Sequence, residues 1–150
     1  MLEAGDQAPD FTVRTDGGEA FRLSDVRGKR VVLYFYPKAD TPGCTVEACE
    51  FRDGSAAFRR KGVEVVGISP DKPAAQAKFK TRYGLKFTLL ADEEKSVAQA
   101  YGVWKEKNMY GRKVMGIERT TFLIGADGAI EQVWRKVKAK GHAAAVLAAL

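Results

Sequence analysis

Cys44 and Cys49 are the only thiols in the chain, five positions apart in the segment Pro37-Lys38-Ala39-Asp40-Thr41-Pro42-Gly43-Cys44-Thr45-Val46-Glu47-Ala48-Cys49. Thr41 followed by Pro42 predicts a helix start, because a threonine hydroxyl can cap and proline suits the first helical position. Cys44 then falls in the first turn, where unpaired backbone N–H groups and the positive end of the helix dipole favour thiolate over thiol. Cysteines at helix starts near a cation ionise below the free value of about 8.5. A thiolate attacks a peroxide O–O bond and becomes a sulfenic acid, which a second thiol must capture before over-oxidation.

Cys49 is the one candidate for that capture. On a continuous α-helix, five residues rise about 7.5 Å and turn about 140°, leaving the Cα atoms roughly 8.6 Å apart. A disulfide needs about 4.4–6.8 Å. The bridge therefore requires the first helical turns to unwind, which Gly43 and the Thr45-Val46 pair, all weak helix formers, would permit. Three other readings compete. A buried cysteine is commonly an inert small hydrophobe. Zinc is disfavoured, since a four-ligand site needs more than two cysteines and the distant, single His142. A thioredoxin-type redox motif has two residues between its cysteines, and here there are four. His142, after Gly141 at a helix start, reads as a surface or capping residue.

The elements that position the thiols follow from hydrophobic patterning. Val31–Tyr36 (VVLYFY) is a continuous β-branched and aromatic run, expected of a strand buried on both faces. Phe11–Arg14 and Ala20–Leu23 flank Thr15-Asp16-Gly17-Gly18 as an N-terminal hairpin. Val46–Lys61 has helical spacing weakened by Gly54 and ended by Gly62. Val63–Ser69 predicts a second central strand and Pro73–Tyr83 a helix stopped by Gly84. Phe87–Leu90 predicts a strand, and Asp92 caps a helix over 93–101. Thr120–Ile124 and Ile130–Arg135 flank a second hairpin turn, and Gly141–Leu150 predicts a terminal helix. Residues 101–119, with Gly111 and Gly116, read as a long site-lining loop. The pattern is α/β, one domain over 1–150, with a central mixed sheet flanked by helices as in the thioredoxin-like fold. The cysteine segment then lies beyond the carboxyl end of the best strand, where open α/β sheets bind ligands.

Composition narrows the context. The chain is 45% hydrophobic and 29% charged, with a net charge of +6. Its basic residues, densest at Arg59-Arg60-Lys61 and from Arg135 to Lys140, carry no nucleic-acid motif and read as a solvated face. No apolar run reaches signal-peptide or membrane-spanning length. A cytoplasmic location is expected, with no nucleic-acid or membrane partner. In that reducing compartment a permanent structural bridge is disfavoured.

These residues resemble the peroxiredoxins, and within them the bacterioferritin comigratory protein (peroxiredoxin Q) group. Pro37, Thr41 and Cys44 match the P-x-x-x-T-x-x-C motif, and TPGCTVEACEFRD (Thr41 to Asp53) resembles the subgroup's extended signature. DQAPDF, VVLYFYPKADTPGC, VVGISPD, LLAD and GIERTTFLI match the family in order, so the similarity spans essentially the whole chain.

The resemblance implies roles residue by residue. Cys44 would be the peroxidatic nucleophile and Cys49 the resolving thiol. The Thr41 hydroxyl would hydrogen-bond peroxide and thiolate, Pro37 would shield the sulfur, and Arg119 would stabilise the thiolate and orient the peroxide. Glu47 resembles the carboxylate that positions the arginine. Without the resemblance, Arg119 reads as a surface or ion-paired arginine and Glu47 as a solvated helix residue. The implied cycle runs from hydrogen peroxide or an organic hydroperoxide through a Cys44 sulfenic acid and a Cys44–Cys49 disulfide to reduction by thioredoxin or a similar dithiol. It requires no haem, flavin or metal cofactor, and the group is typically monomeric. The competing functions are a general thiol–disulfide oxidoreductase and a non-enzymatic redox sensor or basic binding module.

Overall fold

Residues 31–36 are buried along their whole length, and their side chains feed two different cores. In the computed structural model, which describes residues 1–150, strand β3 (Arg30–Phe35) is an interior strand of a seven-stranded mixed sheet, between β4 (Val63–Ser69) and β8 (Thr120–Ile124). Successive strand side chains point to opposite faces. Val31, Leu33 and Phe35 therefore join one apolar cluster, and Val32, Tyr34 and Tyr36 the other.

The sheet contains β1 (Thr12–Thr15), β2 (Ala20–Arg22), β3, β4 (Val63–Ser69), β5 (Thr88–Ala91), β8 (Thr120–Ile124) and β9 (Ile130–Trp134) in the order β2-β1-β5-β4-β3-β8-β9. Strands β3, β4 and β5 run parallel; β1 and β8 are antiparallel to their neighbours, as expected for a thioredoxin-like arrangement with an N-terminal hairpin. One face is covered by α1 (Pro42–Asp53), α2 (Ser55–Arg60), α3 (Pro73–Tyr83) and α5 (His142–Ala148), which contribute Ala48, Phe51, Phe58, Phe79, Ala143 and Val146. The other face packs α4 (Ser96–Ala100) through Val97 and Ala98, together with Tyr101. Phe51 lies almost parallel to Tyr34 at 4.6 Å between ring centres, anchoring the second half of α1. Truncating a buried ring of this kind costs about 3–5 kcal/mol.

Four expectations are corrected. The long helix expected over 46–61 is two helices, α1 and α2, parted at Gly54, whose φ of −87° and ψ of 1° leave the α-helical range. Asp92 does cap, accepting from the N–H groups of Val97 and Ala98, but the helix begins only at Ser96. Leu23 leaves the expected second strand for a 3₁₀ turn over Leu23–Val26. The largest difference lies at 101–119. There β6 (Trp104–Met109) and β7 (Arg112–Ile117) form a separate antiparallel hairpin. Tyr110 and Gly111 make its tip, both at positive φ (54° and 78°), the geometry a two-residue hairpin turn demands.

Candidate active site

Cys44 is the third residue of α1, which enters the fold directly after β3 and the loop 36–41. Two carboxylates fasten that loop. Asp40, at a φ of +60°, accepts from Arg82 Nη1 (2.8 Å) and from the Tyr83 hydroxyl (2.7 Å). Asp71 accepts from the Ala39 N–H (2.7 Å) and the Ser69 hydroxyl (2.6 Å). Pro37, half-buried, lies two residues after the end of β3 at the start of this loop. Thr41 occupies the N-cap position with extended backbone, and Pro42 follows at the first helical position.

The Thr41 hydroxyl does not cap, contrary to expectation. It donates instead to the Lys38 carbonyl at 2.8 Å. Its proton is thus committed to the loop, and its lone pairs remain available to an incoming O–H. The N–H groups of the first turn, without intrahelical acceptors, point out of the helix start.

Arg119, at the β7–β8 junction, is brought to this helix from 75 residues away in sequence. Its Nη2 donates to Cys44 Sγ at 3.3 Å, and its Nη1 donates to Glu47 Oε1 at 2.6 Å. Glu47 is no solvated helix residue: it is fully buried, one turn after Cys44 on the same inward face. Burial pushes its carboxyl up to about 7 against the pull of Arg119. Burial also works against the charge on Arg119, but Glu47 and Cys44 outweigh it and raise its affinity for the proton. Gly43 leaves room for the guanidinium, since a Cβ there would come within 3.3 Å of Arg119 Nη2.

Cys44 is 2% exposed, Cys49 is half-buried, and both are free thiols on one continuous helix. The separation expected from helix geometry therefore applies to this state.

Three further residues near the site carry no sequence signal. Tyr34, buried beneath α1, has a hydroxyl without a hydrogen-bond partner, as does Glu47 Oε2. Lys107 on β6 is held below the usual lysine range first by burial, then by the charge of Arg119, while the Cys44 sulfur acts the other way. The hairpin thus borders the site. His142 is buried rather than a surface or capping residue. Its Nε2 lies 2.8 Å from the Thr121 hydroxyl, its ring meets Phe51 and Trp134 edge-on, and burial lowers its pKa to about 4. Two depressions elsewhere, one beside Leu23 and Val31 and one beside Phe58, Arg59 and Lys86, do not include Cys44.

Residues 4–133 match the AhpC/TSA family. The chain belongs to that family. Within it, the chain is 48% identical over 149 residues to peroxiredoxin Bcp of Bacillus subtilis, covering 99% of this chain and 95% of that one. Against peroxiredoxin Bcp of Escherichia coli it is 48% identical over 146 residues, covering 97% and 94%. The fold superposes on peroxiredoxin Q of Xylella fastidiosa, a cysteine-to-serine mutant, with a TM-score of 0.94 at 37% identity, covering 99% and 95%. It also superposes on the bacterioferritin comigratory protein of Xanthomonas campestris, with a TM-score of 0.91 at 41% identity and the same coverage. That protein was solved in trapped-intermediate and ligand complexes bearing on its alkyl peroxide reduction. The chain is a peroxiredoxin of this type, with the thioredoxin fold, and an enzyme of the thiol peroxidase class.

Proposed function

We propose that the chain reduces hydrogen peroxide and organic hydroperoxides at Cys44 and regenerates it through a Cys44–Cys49 disulfide. The observation that carries this reading is the 3.3 Å hydrogen bond from Arg119 to the Cys44 sulfur at an uncapped helix start. In the first step the Cys44 thiolate bonds to the terminal peroxide oxygen, the O–O bond breaks, and Cys44 becomes a sulfenic acid. The departing oxygen leaves as alkoxide or hydroxide and takes up a proton. Arg119 and the first-turn N–H groups face the charge that develops there. The Thr41 hydroxyl accepts the hydrogen bond of the peroxide O–H, and Pro37 covers the sulfur from the loop side.

The second step needs movement. Cys49 attacks the sulfenic sulfur, water leaves, and a disulfide forms only once the two thiols approach. The start of α1 lacks a side-chain cap and contains Gly43, whereas Phe51 is pinned beneath the sheet. This asymmetry supports unwinding from the helix start as far as Cys49. A dithiol of the thioredoxin class then reduces the bridge. Burial of Cys44 at 2% exposure favours a small peroxide over a protein disulfide as the first substrate, which weighs against a general thiol–disulfide oxidoreductase.

The resolving thiol in the same chain supports a monomer, and apolar clusters on both faces of one sheet support reading 1–150 as one domain. No helix is long and apolar enough to cross a membrane; a cytoplasmic location is part of this proposal. The test is peroxide consumption by the reduced protein with a thioredoxin system. Turnover should be lost in Cys44→Ser. In Cys49→Ser one fast oxidation should survive and thioredoxin-linked turnover should stall. Absence of peroxide consumption by the wild type would refute the reading.

A further inference from the structure

Every large apolar side chain that is markedly exposed, apart from Met1, lies on the β6–β7 hairpin or on α1 beside the site: Met109, Tyr110, Val114 and Met115 on the hairpin, and Val46 on the helix. Tyr110 at the tip is 99% exposed. The register shows how these residues are distributed. Met109 pairs with Arg112 and Lys107 with Val114, so Met109 and Val114 share one face of the hairpin. Glu106 pairs with Met115, which places Met115 on the opposite face. Each face of the hairpin thus shows exposed apolar side chains among charged and polar ones, and the tip is aromatic.

A docked protein would cover one face and leave the other in water. An environment that surrounds the tip satisfies all three apolar surfaces together, and a lipid headgroup–acyl boundary is such an environment. The flanking charges fit the same medium. Lys105, Lys107, Arg112 and Lys113 outnumber Glu106 between residues 105 and 115; Lys105 is paired with Glu118 at 2.9 Å and Lys113 lies 3.7 Å from Glu106, on a chain of net charge +6. Basic residues beside an apolar insertion are attracted to anionic lipid surfaces. Both strands of this two-stranded sheet have an open outer edge, so insertion is confined to the tip residues while the strands stay among the hydrated headgroups.

We propose that the β6–β7 hairpin is a peripheral docking element for anionic phospholipid surfaces, inserting Met109 and Tyr110 beneath the headgroups. The expectation of no membrane partner came from the lack of a spanning segment, and a short hairpin leaves no such signature. Lys107, on the same face as Met109, is close enough to Arg119 and Cys44 to feel both. Docking would therefore bring the peroxide site near the bilayer surface. The binding itself does not depend on the peroxidase reading.

The test is co-flotation of the reduced full chain with vesicles of phosphatidylglycerol and phosphatidylcholine, against phosphatidylcholine alone. Binding to the anionic vesicles is expected at low salt, falling at least tenfold in 0.5 M salt. Met109→Gln/Tyr110→Asn should abolish it, asparagine being tolerated at the positive φ of the tip. Hydrogen peroxide turnover by the double variant should be unchanged, which also reports that it is folded. No partitioning of the wild type onto anionic vesicles would overturn the proposal. So would equal binding by the double variant, or self-association through the hairpin without vesicle binding.

Discussion

Cys44 and Glu47, one helical turn apart on α1, accept hydrogen bonds from the same guanidinium, at 3.3 Å to Sγ and 2.6 Å to Oε1. Arg119 reaches them from the β7–β8 junction, so its position depends on the buried carboxylate and not only on the strands that flank it. A planar fork can hold two acceptors at once, which a lysine ammonium cannot match in geometry. The orientation of the group that meets the peroxide is thereby built into the packing of α1 against the sheet.

Gly43 controls the space for that fork. Replacing it by alanine places a methyl group 3.3 Å from Arg119 Nη2 while favouring the helix by about 1 kcal/mol. Gly43→Ala should slow peroxide reduction about tenfold or more, since small misplacements of a reacting group are costly. It should also slow disulfide formation by stiffening the helix start, without lowering the melting temperature. Stopped-flow fluorescence and thermal melts check both halves.

Glu47 gives the stability a pH dependence of definite sign. Its carboxyl titrates near 4.5 when unfolded and at about 7 when folded, so between those values the folded chain binds the extra proton. Stability from this group is fully present below pH 4.5 and is lost as pH rises through about 7, with a slope of up to about 1.4 kcal/mol per pH unit. Denaturant unfolding of the wild type between pH 6.5 and 8 should show this decline. Glu47→Gln should flatten it and lower the peroxide rate, because a neutral amide holds Arg119 less firmly.

His142 imposes the opposite slope at lower pH. Its pKa falls from 6.5 to about 4 on folding, because burial beside Phe51 and Trp134 disfavours the charged ring. Its contribution is present above pH 6.5 and lost as pH falls through about 4. Between 4.5 and 6.5 the two groups offset each other. His142→Gln should therefore reveal the uncompensated Glu47 slope across that window, measured by urea midpoints at half-unit intervals.

Much of the framework was legible because it rests on local chemistry. VVLYF reads as a doubly buried strand, the Gly84 stop ended α3 as expected, and both cysteines fell on the helix that Pro42 begins. What escaped depends on partners distant in sequence. Glu47 looks like any exposed helix glutamate until Arg119 packs on it. His142 follows a glycine as a surface residue would, yet Thr121, 21 residues earlier, draws it inward. The β6–β7 hairpin reads as a loop in sequence because lysines stand on both of its faces and only its base, through Ile117 and Trp104, reaches the core. Its tip shows a turn only in the Tyr110-Gly111 pair. The Thr41 hydroxyl had two local acceptors to choose between, and the loop carbonyl of Lys38 won over the helix.

The central claim is that Cys44 and Cys49 close into a bridge although one intact helix keeps them apart. The most direct measurement is mass spectrometry of the tryptic peptide Ala39–Arg52, which carries both thiols, after one equivalent of peroxide. The expected result is a peptide lighter by two hydrogens, resistant to alkylation and restored by a dithiol. Cys44 carrying one or more added oxygens, with Cys49 still alkylatable, would contradict it.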